Sequence, residues 1–66
     1  MHSREVIRLL EDNGWYVDRI AGSHHQMKHH TQAATVPVQH PRKDVPIGTL
    51  RNIERLSGVR LRQRNR

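Results

Sequence analysis

The chain has 66 residues, no cysteine and a formal net charge of +6. That length admits one small domain with a modest core, and the lack of cysteine excludes a disulfide framework and a thiolate metal site. No apolar run approaches the roughly 20 residues of a membrane-spanning helix, and Met1-His2-Ser3-Arg4-Glu5 lacks the pattern of a signal peptide, so a cytoplasmic protein with no membrane partner is expected.

Ser3 is placed to cap a first helix, with Glu5 in its first turn. Val6, Leu9 and Leu10 follow at helical spacing, with Ile7 widening the stripe, and Gly14 supplies a stop, so the helix is expected from Ser3 to about Asn13. Trp15-Tyr16-Val17-Asp18-Arg19-Ile20 is aromatic and β-branched and predicts a strand. Ala21-Gly22-Ser23 turns the chain into a second strand, His24 to about His29. His30 to Ala34 is expected as a loop, and Thr35 to Gln39 as a third strand with Val36 and Val38 on one face. Pro37 lacks a ladder donor and makes that strand an edge.

After the loop His40-Pro41-Arg42-Lys43-Asp44, Asp44 is placed to cap a second helix with Pro46 in its first turn. Ile47, Leu50, Ile53 and Leu56 form its apolar stripe, Gly58 ends it, and Val59 and Leu61 are free to fold back onto the core. The expectation is an α+β domain over residues 1–59, ordered α-β-β-β-α, with a three-stranded antiparallel meander and both helices on one face. A basic, frayed tail is expected over 60–66. The helices can cover one side of the sheet only, so the other is left for a partner.

The charge is uneven. Through residue 40, Arg4, Arg8, Arg19 and Lys28 balance Glu5, Glu11, Asp12 and Asp18; beyond it, eight basic residues face Asp44 and Glu54. This asymmetry suits a phosphate backbone or an acidic protein, the plain alternative being a solvated tail.

The stretch Gly22-Ser23-His24-His25-Gln26-Met27-Lys28 concentrates acid/base chemistry. If Met27 is the core residue of its strand, alternation puts His25 and His29 on the core side and His24, Gln26 and Lys28 on the open side. His24 is then the exposed working imidazole and His25 the runner-up, since a one-residue slip exchanges the two sets. RNA carries its own nucleophile, the 2′-OH. Its cleavage needs a base, an acid and positive charge at the phosphorane, and imidazole titrates in the range for proton transfer. Lys28, with the Gly22-Ser23 backbone and the Ser23 hydroxyl, is the expected stabiliser of that charge. Arg42 and Lys43 are candidate phosphate contacts or solvated charge.

No cofactor and no metal are expected: the acidic residues are scattered, and His25 and His29 four apart on a strand do not form a ligand pair. Trp15 reads as core, with base stacking the alternative for it and Tyr16. His40 reads as a structural hydrogen-bonding residue at the end of the sheet, and Gly48-Thr49 as packing and surface or as a phosphate-binding helix start.

With these residues assembled, the sequence resembles the HicA family of toxins, also described as YcfA-like: mRNA interferases of bacterial and archaeal type II toxin–antitoxin systems. The resemblance is carried by Ser3-Arg4-Glu5-Val6-Ile7, Gly14-Trp15-Tyr16, Gly22-Ser23-His24-His25-Gln26, Val36-Pro37-Val38, His40-Pro41 and Pro46-Ile47-Gly48-Thr49-Leu50-Arg51. It implies a fold like that of double-stranded-RNA-binding domains and metal-independent endoribonuclease activity on mRNA. It also implies catalysis by the histidine of the Gly-Ser-His motif, here His24, and a HicB-type antitoxin that masks it. Divergent members keep only the following histidine, here His25. Two departures stand out: Met27 replaces a usual aromatic, and the arginine-rich end is longer. The alternatives to an enzyme are a non-catalytic RNA-binding module and an adaptor for an acidic protein.

Overall fold

The computed structural model describes residues 1–61. Its elements are α1 (Ser3–Asp12), β1 (Trp15–Ala21), β2 (His24–His29), β3 (Gln32–Gln39) and α2 (Ile47–Ser57). The strands form one antiparallel sheet in the order β1-β2-β3. Both helices lie on one side of it, because Val6 and Leu10 of α1 and Leu50 and Ile53 of α2 share a buried cluster with Trp15, Met27, Val36 and Val38. Val59 and Leu61 do fold back to join that cluster. The remaining part of the expected basic tail, 62–66, lies outside the described residues. No helix among the described residues is long and apolar enough to cross a membrane.

The expected α-β-β-β-α order is observed, and the boundaries move for physical reasons. The first helix is capped by His2, not Ser3: the His2 Nδ1 accepts the Arg4 N–H at 3.0 Å, while the Glu5 carboxylate accepts the His2 N–H at 3.3 Å. Ser3 is wholly buried instead. Its hydroxyl oxygen accepts the Arg42 N–H at 2.8 Å and lies 2.7 Å from His40 Nδ1, and its own N–H donates to the Arg42 carbonyl at 2.8 Å. A small polar side chain is turned inward because it satisfies groups that the loop after β3 would otherwise bury unpaired.

Gly14 has φ +91°, and a Cβ there would fall 2.7 Å from His29 Nε2. Both the turn and the imidazole above it therefore require glycine.

The expected loop from His30 to Ala34 shrinks to the turn His30-Thr31, and β3 begins at Gln32. Neither turn residue has positive φ, so the turn lacks the twist that two-residue hairpins favour. The His29 ring braces it, its Nδ1 receiving the Thr31 N–H at 3.2 Å, and the register is irregular between Met27 and His29.

Asp44 does not cap α2. Pro46 occupies that position without a side-chain cap, and Asp44 lies 3.7 Å from the N-terminal ammonium. Val45 between them is buried and gives its N–H to the Met1 carbonyl at 2.9 Å, so the linker is drawn down before the helix can start. Ile47, expected in the apolar stripe, is 54% exposed.

Ser3→Ala is expected to cost about 2–6 kcal/mol, since two interior groups lose their partner at roughly 1–3 kcal/mol each. At ~4–8 °C per kcal/mol for a domain of this size, the thermal midpoint falls by at least about 8 °C. A melt within about 2 °C of the parent would show the hydroxyl to be incidental.

Candidate functional site

Met27 is fully buried, and this fixes the two faces of β2. On the covered side it shares its facing with Val17, Val36, His25 and Val38. On the uncovered side stand His24, Gln26 and Lys28, with their cross-strand partners Ala21, Arg19 and Tyr16 on β1 and Gln39 and Pro37 on β3. Directly opposed residues on one face hold their Cβ atoms about 4.5–5.5 Å apart, so these side chains form a continuous surface. It carries an imidazole, a lysine and an arginine. At its far corner the Tyr16 and His30 rings lie 5.1 Å apart.

Arg19 belongs to this surface because of a bulge. The register shifts between Val17 and Arg19, leaving Asp18 as the extra residue on β1. Simple alternation from Trp15 would put Arg19 on the covered side with Val17. The extra residue reverses its facing and sets it opposite Gln26. Plain alternation therefore could not have found Arg19.

His24 opens β2 immediately after the turn Gly22-Ser23. Gly22 has φ +60°, whereas Ser23 has no positive φ, the pattern of a tight hairpin with glycine first. The Ser23 carbonyl accepts the His40 N–H at 2.7 Å, tying the turn to the end of β3. The Ser23 hydroxyl is exposed beside His24, whose ring is exposed and has no hydrogen-bond partner among the described residues. Across the ladder from His24 is Gln39, and its Oε1 accepts the Arg42 Nη1–H at 2.9 Å. Arg42 is thereby held at the His24 end of the sheet. Lys28 lies four residues along the same strand, about 13 Å away at ~3.3 Å per residue. It meets a different part of any extended polyanion. Lys43 is exposed in the loop after β3.

The other histidines have structural partners or lie on other faces. His29 Nε2 donates to the Asn13 carbonyl at 3.2 Å, and its ring packs edge-on against Trp15 with centroids 5.2 Å apart. His40 bonds Ser3, as a structural histidine would. His25 faces the helices, half-buried, with its ring 4.9 Å from that of His40 and at a steep angle to it. Trp15 is core. Gly48 and Thr49 are exposed in the first turn of α2. Among the described residues no three His, Asp or Glu side chains converge as a metal ion would require.

Two likenesses to known proteins place the chain. A family model described as HicA toxin of bacterial toxin–antitoxin matches residues 3–63. A chain of a solved structure described as a HicA3 and HicB3 toxin–antitoxin complex is 29% identical to this one. It superposes with a TM-score of 0.78 over 94% of this chain and 100% of its own length. A search of curated proteins returns no match.

Truncating the two kinds of histidine separates them. His24→Ala is expected to change stability by no more than about 0.5 kcal/mol, as for an exposed side chain without partners. His29→Ala is expected to cost about 1–3 kcal/mol, because it removes the hydrogen bonds that tie the end of β2 to Asn13 and to the turn at Thr31. Chemical denaturation of both variants checks the ranking, and a larger loss for His24→Ala would make that ring structural.

Proposed function

Because the chain belongs to the HicA toxin family, we propose that it is the toxin of a toxin–antitoxin pair and acts as an endoribonuclease on mRNA, with His24 as the proton-transferring residue. The observation that carries the reading is the placement of His24: an exposed imidazole without an internal partner, on the uncovered side of the sheet, at the end to which Gln39 holds Arg42. The helices leave that side free for a polyanion, and its cations supply sequence-independent affinity for phosphate.

The proposed chemistry uses the chain, the RNA and water. His24 takes the proton of a ribose 2′-OH. The freed oxygen bonds to the adjacent phosphorus as the bond to the 5′-oxygen breaks; that oxygen leaves as a hydroxyl on taking a proton from water, and the hydroxide left behind takes the proton held on His24. The products are a 2′,3′-cyclic phosphate and a 5′-hydroxyl end. Negative charge gathers on the non-bridging oxygens in the transition state. The Arg42 guanidinium, the Ser23 hydroxyl and the backbone N–H groups of the Gly22-Ser23 turn are the donors at that end of the sheet. Gln26 and Arg19, opposite one another, and Lys28 beyond them bind the strand as it runs toward Tyr16. Tyr16, 38% exposed, offers a face for a base.

A HicB-type antitoxin is the proposed protein partner. The matched solved structure is described as a complex of that kind. An antitoxin that covers the open side of the sheet would bury His24 and neutralise its cations together.

Purified protein incubated with RNA and a chelator is expected to give fragments with 5′-hydroxyl ends. Folded His24→Ala is expected to lose at least about a hundredfold in rate, the usual contribution of a general acid or base. Intact RNA with retained, salt-sensitive binding would instead mark a non-catalytic binding module. Undiminished cleavage by folded His24→Ala would remove His24 from the mechanism.

Arg19→Glu and Lys28→Glu test the surface separately. Each is expected to weaken RNA binding across sequences and to lower the salt dependence by about one counterion. A variant that binds as the parent does at every salt concentration would take its residue off the interface.

A further inference from the structure

The covered side of the sheet has an unfilled place at the same end as His24. Between α1 and the ends of β2 and β3 lies a groove of about 350 Å³ lined by Arg4, Ile7, Arg8, Glu11, His25 and His40. Neither nitrogen of His25 has a partner among the described residues: Nδ1 is buried and unpaired, and Nε2 makes no hydrogen bond. A buried polar atom left unsatisfied costs about 1–3 kcal/mol, and native structures hold few of them. By contrast His29, on the same strand, and His40, just past the end of β3, are both hydrogen-bonded.

We propose that this groove is a binding pocket for one nucleotide of the RNA, distinct from the open-face surface. The inference rests on RNA being the substrate. The volume lies near the lower end of the ~300–1,000 Å³ of small-molecule sites, which suits one nucleotide and little more. The Ile7 side chain and the two imidazoles make walls that are apolar in face and polar at the edge, as a planar base requires. The His25 Nε2, which is not buried and makes no hydrogen bond among the described residues, is free to bond the edge of the base. Arg4 and Arg8 are exposed one helical turn apart on α1 and sit where a phosphate attached to that base would lie. Glu11, exposed a further turn along, is the only acidic residue of the lining. It repels a phosphate placed beside it and accepts from an exocyclic amino group, so the phosphate belongs at the Arg4 end and the base edge toward Glu11.

His24 and His25 are adjacent on β2 and face opposite ways. A strand held by its reacting phosphate at His24 would pass over the end of the sheet and deliver a neighbouring nucleotide into the groove. The pocket would thereby set which base flanks the cleaved bond.

The test is an NMR titration of the folded protein with adenosine 5′-monophosphate, with inorganic phosphate as the control. Saturable shifts are expected at the Ile7 methyls and at the His25 and His40 rings, with phosphate alone bound at least about tenfold more weakly. Arg8→Glu, an exposed change on α1, and His25→Phe, which fills the groove, should each weaken the nucleotide about tenfold, the loss of one charged or polar contact near 1.4 kcal/mol. If His25→Phe does not fold, Arg8→Glu decides alone. The proposal is overturned by a lack of saturation, by phosphate binding as tightly as the nucleotide, by shifts confined to Tyr16 and Lys28, or by unchanged affinity in the folded variants. It is equally overturned if the nucleotide leaves these residues unmoved while an antitoxin chain shifts them, which would make the groove a protein contact. Mononucleotide binding does not depend on cleavage: binding without RNase activity would remove the proposed function and leave the pocket, and cleavage without binding would do the reverse.

Discussion

Met27 is sealed in the core, and two short helices can cover only one side of a three-stranded sheet. These two conditions set the direction of every other side chain on β2. Sliding the strand by one residue would bring Met27 out, along with its partner contacts to Val17 and Val36. Each such side chain is worth roughly 1.5–3 kcal/mol of burial, and a domain of this length has only about 3–10 kcal/mol of total stability. The register is therefore not free to drift. Holding Met27 inside holds His24 outside, with Gln26 and Lys28 beside it.

A small core needs its ends tied down, and the Ser3 hydroxyl does this for three segments together. It joins the start of α1 to the end of β3 through His40 and to the following loop through Arg42. The same loop then gives the Arg42 side chain to Gln39, on the opposite side of the sheet. A buried contact between α1 and the loop thus orients a cation on the exposed surface. Ser23 completes the frame by accepting the His40 N–H. The candidate reacting group stands at a corner tied by several hydrogen bonds, while its own ring has no hydrogen-bond partner among the described residues.

The histidine-rich strand divides its work by position. Residues 24, 25 and 29 carry the same side chain and meet three environments: the open face, the groove beside α1, and a hydrogen-bonded seat over Gly14. The imidazole is exposed and without a hydrogen-bond partner among the described residues in the first, has an unpaired buried nitrogen in the second and is a structural brace in the third. Composition alone does not distinguish them; the partner at each ring nitrogen does.

Periodicity is a local property, and it determined what depends on local pattern. The apolar spacing from Val6 to Leu10, the strand-forming runs, the edge-strand proline and Gly58 were enough for the order of elements and the core side of each. Met27 at its position was enough to turn His24 outward. The features that escaped depend on how distant segments meet. The Asp18 bulge that brings Arg19 to the open face is a mismatch between two strands and leaves no mark in either one. Ser3 reads as a cap until His40 and Arg42, far along the chain, arrive as better partners. His25 and His40 come together only because β2 and β3 run antiparallel with His25 opposite Val38, so the groove they line exists only in the folded chain.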